Sequence, residues 1–139
     1  MENSNHFNVI VIGAGISGIG AGYYLKKNCP NKSFCIIEGR ENIGGTWDLF
    51  KYPGIRSDSD MFTLGYAFKP WKEQKTIANG PSILSYLEET VEENNLREKI
   101  KFSHKVLSAN WNSAERIWEV RAAHHEQEIL LTAVSYTHL

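Results

Sequence analysis

The sequence predicts an α/β fold, a strand–helix–strand unit followed by a small antiparallel meander. Three observations predict it. An apolar run, Val9-Ile10-Val11-Ile12, ends in Gly13-Ala14-Gly15-Ile16-Ser17-Gly18, a G-x-G-x-x-G pattern, and a helical pattern follows at once. A second apolar run, Phe34-Cys35-Ile36-Ile37, ends in Glu38. From Val106 onward, short β-prone runs alternate with turn sequences. Buried strand, tight turn and helix, in that order, make a Rossmann-like dinucleotide site.

Each glycine has a job in such a site. Gly13 permits the turn, Gly15 lets a pyrophosphate approach the backbone, and Gly18 lets the helix pack against the strand. The first amides of the helix lack intrahelical acceptors and lie at the positive end of its dipole. A diphosphate supplies both acceptors and negative charge. Glu38 lies about 20 residues beyond Gly18, where a carboxylate grips ribose hydroxyls. The plainer alternative is a glycine turn and an unrelated surface glutamate. The strand before the motif and the helix after it favour the site.

Size and composition exclude several classes. A chain of 139 residues suffices for one domain with a core. A net charge of −1 with no basic block gives no footing for nucleic acid or an anionic membrane. No apolar run approaches the length of a membrane span. The segment Met1 to His6 is polar and unlike a signal peptide. Cys29 and Cys35 form no metal-ligand or C-x-x-C spacing, and Cys35 reads as a small core residue. These features fit a cytoplasmic protein without a metal site.

The elements follow in order. Phe7 to Ile12 is the first strand, Ile16 to Lys27 the helix with Ile16, Ile19, Tyr23 and Tyr24 on its apolar side, and Ser33 to Glu38 the second strand. Both strands are almost continuously apolar, as in a parallel sheet buried on both faces. Arg40 to Pro81 is broken repeatedly by glycine and proline, yet holds Trp47, Phe50, Tyr52, Phe62, Tyr66, Phe68 and Trp71. That is too much aromatic surface to leave in water, so the segment reads as an ordered loop over a ligand, with a helical turn near Asp60 to Phe68. Ser82 reads as the N-cap of a helix with Ile83, Leu84, Leu87, Val91 and Leu96 inward and Glu88, Glu89, Glu92 and Glu93 in solvent. Ile100 to Phe102 is a third parallel strand. Val106 to Trp111, Ile117 to Ala122 and Glu128 to Leu131 form the meander, with turns at Asn112 to Glu115 and His124 to Glu126. Neighbours on a strand point to opposite faces, so His124 and His125 read as a turn pair rather than a shared metal site.

Two further motifs carry a family resemblance. Gly44-Gly45-Thr46-Trp47 would bring a second backbone segment against the same dinucleotide, and Tyr52-Pro53-Gly54-Ile55-Arg56-Ser57-Asp58 follows. Together with the first fingerprint these resemble the flavin-dependent Baeyer–Villiger monooxygenases. The run from Gly44 to Gly65 with Phe68-Lys69-Pro70-Trp71 looks most like their ethionamide-activating group. The resemblance covers Phe7 to about Thr132. It implies an enzyme that holds FAD in its N-terminal domain, takes hydride from NADPH, and uses O2 to turn a small ketone into an ester or lactone. Sulfur oxidation of thio-compounds is an implied side activity. Carried over by position, the resemblance gives the FAD pyrophosphate to Gly13, Gly15, Ser17 and Gly18 and the adenosine ribose to Glu38. Gly45 belongs to the second glycine pair. Thr46, Trp47, Asp48 and Leu49 should line the flavin half, and Val106 should meet the adenine through its backbone. Arg56, Ser57 and Asp58 should face NADP, with Asp58 also near the flavin ring as the catalytic candidate. There its carboxylate would orient an arginine supplied by later sequence. A turn-stabilising aspartate is the alternative for Asp58, and a surface charge for Arg56.

The resemblance also implies departures. The return strand with a glycine motif and a second G-x-G-x-x-G domain for NADPH are expected after Thr132, and neither is legible. Residues 1–132 therefore read as the N-terminal part of an FAD domain, truncated before the NADPH domain and inactive by itself. Residues 133–139 do not resemble the expected strand and read as a non-native tail, set aside from the fold, so that a sheet edge or face should lie uncovered. Two other functions remain open: an amine- or sulfur-oxidising flavin monooxygenase, and a non-catalytic dinucleotide-binding module.

Overall fold

In the computed structural model, which describes residues 5–139, β1 (His6–Ile12) and β2 (Phe34–Ile37) pair in parallel, with Val9 opposite Phe34 and Ile12 opposite Ile37. Helix α1 (Ile16–Asn28) connects them. The segment Met1 to Ser4, read above as unlike a signal peptide, lies outside the described residues. Two short helices, α2 (Thr46–Leu49) and α3 (Met61–Leu64), interrupt the long segment that follows. Then come α4 (Gly80–Glu93), a 3-10 turn at Arg97–Lys99, β3 (Ile100–Lys101), β4 (His104–Asn112), β5 (Ile117–His124) and β6 (Gln127–His138). The six strands form one sheet in the order β3-β2-β1-β6-β5-β4.

Alternation along β1 and β2 feeds two cores. Val11, Phe34 and Ile36 pack with Ile19 of α1 and with Ile83, Leu87 and Val91 of α4. Ile10, Ile12, Cys35 and Ile37 pack on the other face with Val120, Leu131 and Ala133 of the meander. Both faces are covered, which is why neither strand shows a polar side. Burial pushes the Cys35 thiol up to about 12, against a smaller opposing effect of Lys101, so it stays protonated and behaves as a small hydrophobe.

Three expectations need correction. First, β6 runs to His138, so most of the segment 133–139, set aside from the fold above, is part of a strand. Its first half pairs antiparallel with β5, and its second half pairs parallel with β1, from His6 opposite Thr132 to Ile12 opposite His138. Val134, Tyr136 and Thr137 suit a strand by their own propensity, whatever motif they fail to match. The edge of β1 expected to lie open is filled. Second, Ser82 is not the cap of α4. Asn79 is: its Oδ1 accepts the Ser82 amide at 2.9 Å, and Pro81 sits in the first turn, where its missing N–H costs nothing. Third, Tyr24 is exposed, and the buried side of α1 is Gly18, Ile19, Gly20 and Gly22. The histidine pair sits at the turn expected there, with His124 ending β5 and His125 following it. His125 takes φ 55° in the turn, which leaves its ring 4.2 Å from that of His124, and His104 stacks on His124 at 4.0 Å.

The aromatic segment is ordered, as composition requires, but unevenly buried. Trp71 is buried and donates from Nε1 to the Lys75 carbonyl, while Phe50, Tyr52 and Phe62 are exposed. The helical turn expected near Asp60 is α3, capped by Asp60, whose Oδ1 accepts the Thr63 amide at 3.0 Å.

The capping assignment is testable. Asn79→Ala should cost about 1 kcal/mol, the usual loss for an N-cap, and lower the melting temperature by about 3 °C. Ser82→Ala should leave it within error of the parent. The reverse ranking by thermal unfolding would return the cap to Ser82.

Candidate functional site

The site grows from the end of β1. Gly13 takes φ +105°, and its amide donates to the Ile37 carbonyl at 2.8 Å, tying the ends of β1 and β2 together. A Cβ on Gly18 would lie 1.8 Å from the Gly13 carbonyl oxygen, so α1 leaves the turn at a distance only glycine allows. The first helical bond runs from the Ile19 amide to the Gly15 carbonyl at 3.0 Å. Gly15 caps α1 without a side chain, so the amides of Ile16, Ser17 and Gly18 have no intrahelical acceptor.

Gly15 itself is the most informative residue. Its φ of −84° suits any residue. A Cβ built there meets only Gly45, with the Cα at 3.7 Å and the amide nitrogen at 4.0 Å, which is ordinary contact. Nothing in the protein needs glycine at this position. A ligand in close contact with the backbone does, and an anion fits the unpaired amides beside it.

The second glycine pair closes the other side. The Gly44 amide donates to the Ala14 carbonyl at 2.9 Å, which docks one glycine loop on the other. Gly44 and Gly45 both take positive φ, +115° and +54°. Glu38 forms the far wall. Its Oε1 accepts the Ala14 amide and its Oε2 the Arg40 amide, each at 2.9 Å, so its carboxylate is held at the cavity with lone pairs to spare. The resulting cavity of about 300 Å³ is lined by Gly13, Gly15, Ser17, Gly18, Glu38, Gly45, Thr46 and Trp47, all expected from sequence. Ile16, Gly44 and Leu139 line it as well. Leu139 was set aside with the tail; strand pairing brings its amide to the Ile12 carbonyl at 3.0 Å.

Trp47 also borders a second cavity of about 900 Å³, lined among others by Lys51, Tyr52, Arg56, Lys75 and Asn79. Arg56 therefore lies beyond Trp47, on the side away from the glycine turn. Its mixture of aromatic surface and cationic groups suits an anionic ligand with a flat ring.

Five expected site residues line neither cavity. Asp48 is 5% exposed, with Oδ2 3.1 Å from Arg40 Nη2 and Oδ1 3.4 Å from Lys51 Nζ. The Arg40 contact is an ion pair without hydrogen-bond alignment, since Oδ2 has no hydrogen-bond partner among the described residues. Leu49 is exposed. Ser57 is buried, and its hydroxyl donates to the Ser59 carbonyl at 2.6 Å. Asp58 is exposed and has no hydrogen bond or ion pair among the described residues. Val106 lies on β4, half-buried against the second core. Its strand begins beside the ribose wall, where the His104 amide donates to the Glu38 carbonyl at 2.9 Å.

His104 makes this corner sensitive to pH. Burial holds its pKa below the usual histidine value. The bond to the Phe102 carbonyl works against that, while the charges of His124, Lys101 and His125 reinforce it. The folded state thus favours neutral His104, and the unfolded chain takes the proton more readily. This contribution to stability is fully present above about pH 6.5 and is lost as pH falls through the lower folded value. The melting temperature should fall between pH 7.5 and pH 5, and His104→Gln should flatten part of that slope. An unchanged slope in the variant would remove His104 as its source.

The two central glycines should separate binding from folding. Gly15→Ala should keep the parent's melting temperature yet lose affinity for ADP-containing dinucleotides by about 10-fold or more, because the new methyl faces only the ligand. Gly18→Ala should destabilise the fold by several kcal/mol through the clash with the Gly13 carbonyl. Equal effects of both variants on melting and on binding would show that Gly15 serves the fold and not a ligand.

Comparison with known proteins agrees with this geometry. The family described as NAD(P)-binding Rossmann-like domain matches residues 11–73. The chain is 52% identical over 130 residues to the FAD-containing monooxygenase EthA of Mycolicibacterium smegmatis, covering 94% of this chain and 26% of that protein. A cyclohexanone-bound crystal structure of cyclohexanone monooxygenase superposes with a TM-score of 0.86 at 29% identity, over 96% of this chain and 26% of that one. The complex of OTEMO with FAD and NADP does so with a TM-score of 0.83 at 28% identity, over 95% and 25%. The chain thus spans about a quarter of the length of the relatives it matches. Its double glycine cradle, its sequence and its backbone agree, and the chain belongs to the flavin-dependent Baeyer–Villiger monooxygenases, on the EthA-like side of that family.

Proposed function

We propose that this chain is the FAD-binding part of an NADPH- and O2-dependent monooxygenase that oxidises small ketones to esters or lactones and also oxidises sulfur in thio-compounds. One observation carries the reading: the cradle between Gly15 and Gly45 is kept open for a ligand that touches backbone. The amides of Ile16, Ser17 and Gly18 would hold the pyrophosphate, and Glu38 would take the ribose hydroxyls with its remaining lone pairs. Trp47, which borders both cavities, would stand between the dinucleotide and the second cavity. There Lys51, Arg56 and Lys75 supply positive charge for the phosphates of NADPH. FAD, when bound, supplies the redox chemistry; the residues of this chain bind and orient it and give one wall of the neighbouring cavity.

Asp58 would act outside the cradle. Its carboxylate is exposed and unengaged among the described residues, which leaves it free to meet an arginine from elsewhere in the full-length protein. Holding that arginine in position is a preorganising role. A stand-alone binding module is the weaker reading, because a cavity of about 900 Å³ with cationic and aromatic walls exceeds what a bare nucleotide site needs. No helix among the described residues is long and apolar enough to cross a membrane, and a cytoplasmic place fits the proposed cofactors.

The full-length protein that carries this chain should purify yellow, with the absorption of bound FAD, and consume NADPH when given a ketone and O2. A colourless protein that takes NAD into the glycine cradle would refute the assignment. Asp58→Ala should leave FAD bound and the fold intact, while product formation falls about 10-fold to 1000-fold, the upper end matching loss of a direct electrostatic stabiliser. NADPH should still be oxidised in part, with hydrogen peroxide released. If the ratio of ester formed to NADPH consumed stays at the parent value along with the rate, Asp58 is a turn residue only.

A further inference from the structure

The start of α1 is a poor helix by itself. Gly15 gives no side-chain cap, the first turn holds no acidic residue, and glycines recur at 18, 20 and 22. Such a turn has high backbone freedom and would fray in isolation. Yet three of its amides have to be aimed at one diphosphate. Something outside the glycine motif must hold the turn.

Tyr66 is in the right place to do so. Its hydroxyl donates to the carbonyl of Ile16, in the first turn of α1. That carbonyl is also the one an α-helix pairs with the Gly20 amide, so the hydroxyl enters the hydrogen-bond ladder at this rung. Its ring lies over Gly20, where a Cβ would stand 2.9 Å from Cε1. Both contacts fall within the turn that lines the cradle or the turn directly after it.

Tyr66 is itself held from the far side. Its ring stacks between Phe68 at 4.7 Å and Tyr86 at 5.7 Å. Its amide donates to the Tyr86 hydroxyl oxygen at 2.9 Å, and that hydroxyl donates to the Lys69 carbonyl at 2.6 Å. Tyr86 is rooted on α4. The result is a half-buried strut from α4 through two tyrosines to the phosphate-facing end of α1. Burial raises the Tyr66 pKa well above the ordinary tyrosine value, with Tyr86 adding to the effect and the Gly20 amide opposing it, so the hydroxyl remains a donor at working pH.

We infer that Tyr66 is a positioning residue for the dinucleotide: through the Ile16 carbonyl it sets the direction of the first turn of α1, and with it the aim of the amides of Ile16, Ser17 and Gly18. The role rests on the FAD reading above. It gives the part of the aromatic segment beyond Trp47, which does not line the cradle, a task at the pyrophosphate.

The experiment uses the full-length protein, with FAD affinity by titration into apoprotein, the ³¹P spectrum of bound FAD, and the melting temperature read together. Tyr66→Phe keeps the ring stack and removes only the hydroxyl. It should weaken FAD about 3- to 10-fold, the range for one lost hydrogen bond, and move the ³¹P resonances of the bound pyrophosphate. Gly20→Ala tests the same contact from the other side. It raises helix propensity, which favours the free helix, yet it should also weaken FAD and move the ³¹P resonances, because the new methyl displaces the Tyr66 ring. Ile83→Val is the stability control: Ile83 is buried in the same core and takes no part in the hydrogen bonds or ring contacts of the strut, and its variant should lower the melting temperature while FAD affinity and the ³¹P spectrum stay as in the parent. FAD bound by Tyr66→Phe with parental affinity and an unmoved ³¹P spectrum overturns the inference and leaves the cofactor reading intact. An equal ³¹P change in Ile83→Val also overturns it, by showing a general loosening. A parent protein that takes up no FAD overturns the cofactor reading, and this inference with it.

Discussion

The near-contact of Gly18 with the Gly13 carbonyl is the constraint on which the rest depends. Because a Cβ there would stand 1.8 Å from the oxygen, α1 can start directly over the end of β1. That start turns the free amides of the first helical turn toward the space beyond the sheet. The same tight turn leaves the Gly13 amide free to tie β1 to β2 through the Ile37 carbonyl. Glu38, the next residue on that path, then lies across from the helix start with its carboxylate held by the Ala14 and Arg40 amides. A wider turn would separate the phosphate end from the ribose end.

Secondary consequences follow for the loops. Gly44 reaches the Ala14 carbonyl only because the first turn is narrow enough to expose it. Behind Gly44, Asp48 is buried against Arg40 and Lys51, which pins the loop between Glu38 and α2 from its outer side. Ion pairs with exposed cations contribute little to stability by themselves. Here they act on geometry, by limiting where the second glycine pair can sit relative to the first.

The sheet supplies the platform. Two cores, one under α1 and α4 and one under the meander, grip alternate side chains of β1 and β2. The strand ends that carry Gly13 and Glu38 are thus fixed from both faces, and β6 holds β1 along its remaining side. The aromatic segment joins α4 to α1 above this platform. A rigid sheet, a glycine turn and an external strut together place a handful of backbone groups without a single charged side chain reaching into the turn from α1.

The sequence by itself determined what depends on near neighbours. The apolar runs of β1 and β2, the G-x-G-x-x-G turn, the spacing to Glu38 and the alternation of the meander are all written within a few residues of where they act, so period and turn chemistry reveal them. The glycine turn and Glu38 were legible for the same reason, while Thr46 and Trp47 came through the family resemblance of their motif. The cap of α4 was also local, in Asn79-Gly80-Pro81, but Ser82 masked it with an equally good capping residue. Only the tertiary structure decided the rest. That Val134 to His138 form a strand beside β1 depends on a partner more than a hundred residues away, and their failure to match a motif concealed an ordinary β propensity. The burial of Asp48 against Arg40, the separation of Arg56 from the glycine turn and the reach of Tyr66 to Ile16 likewise join residues that no short window contains. Periodicity reports which side of an element is apolar; it carries no information about which distant group will meet a given polar atom, because that choice is made when the elements pack.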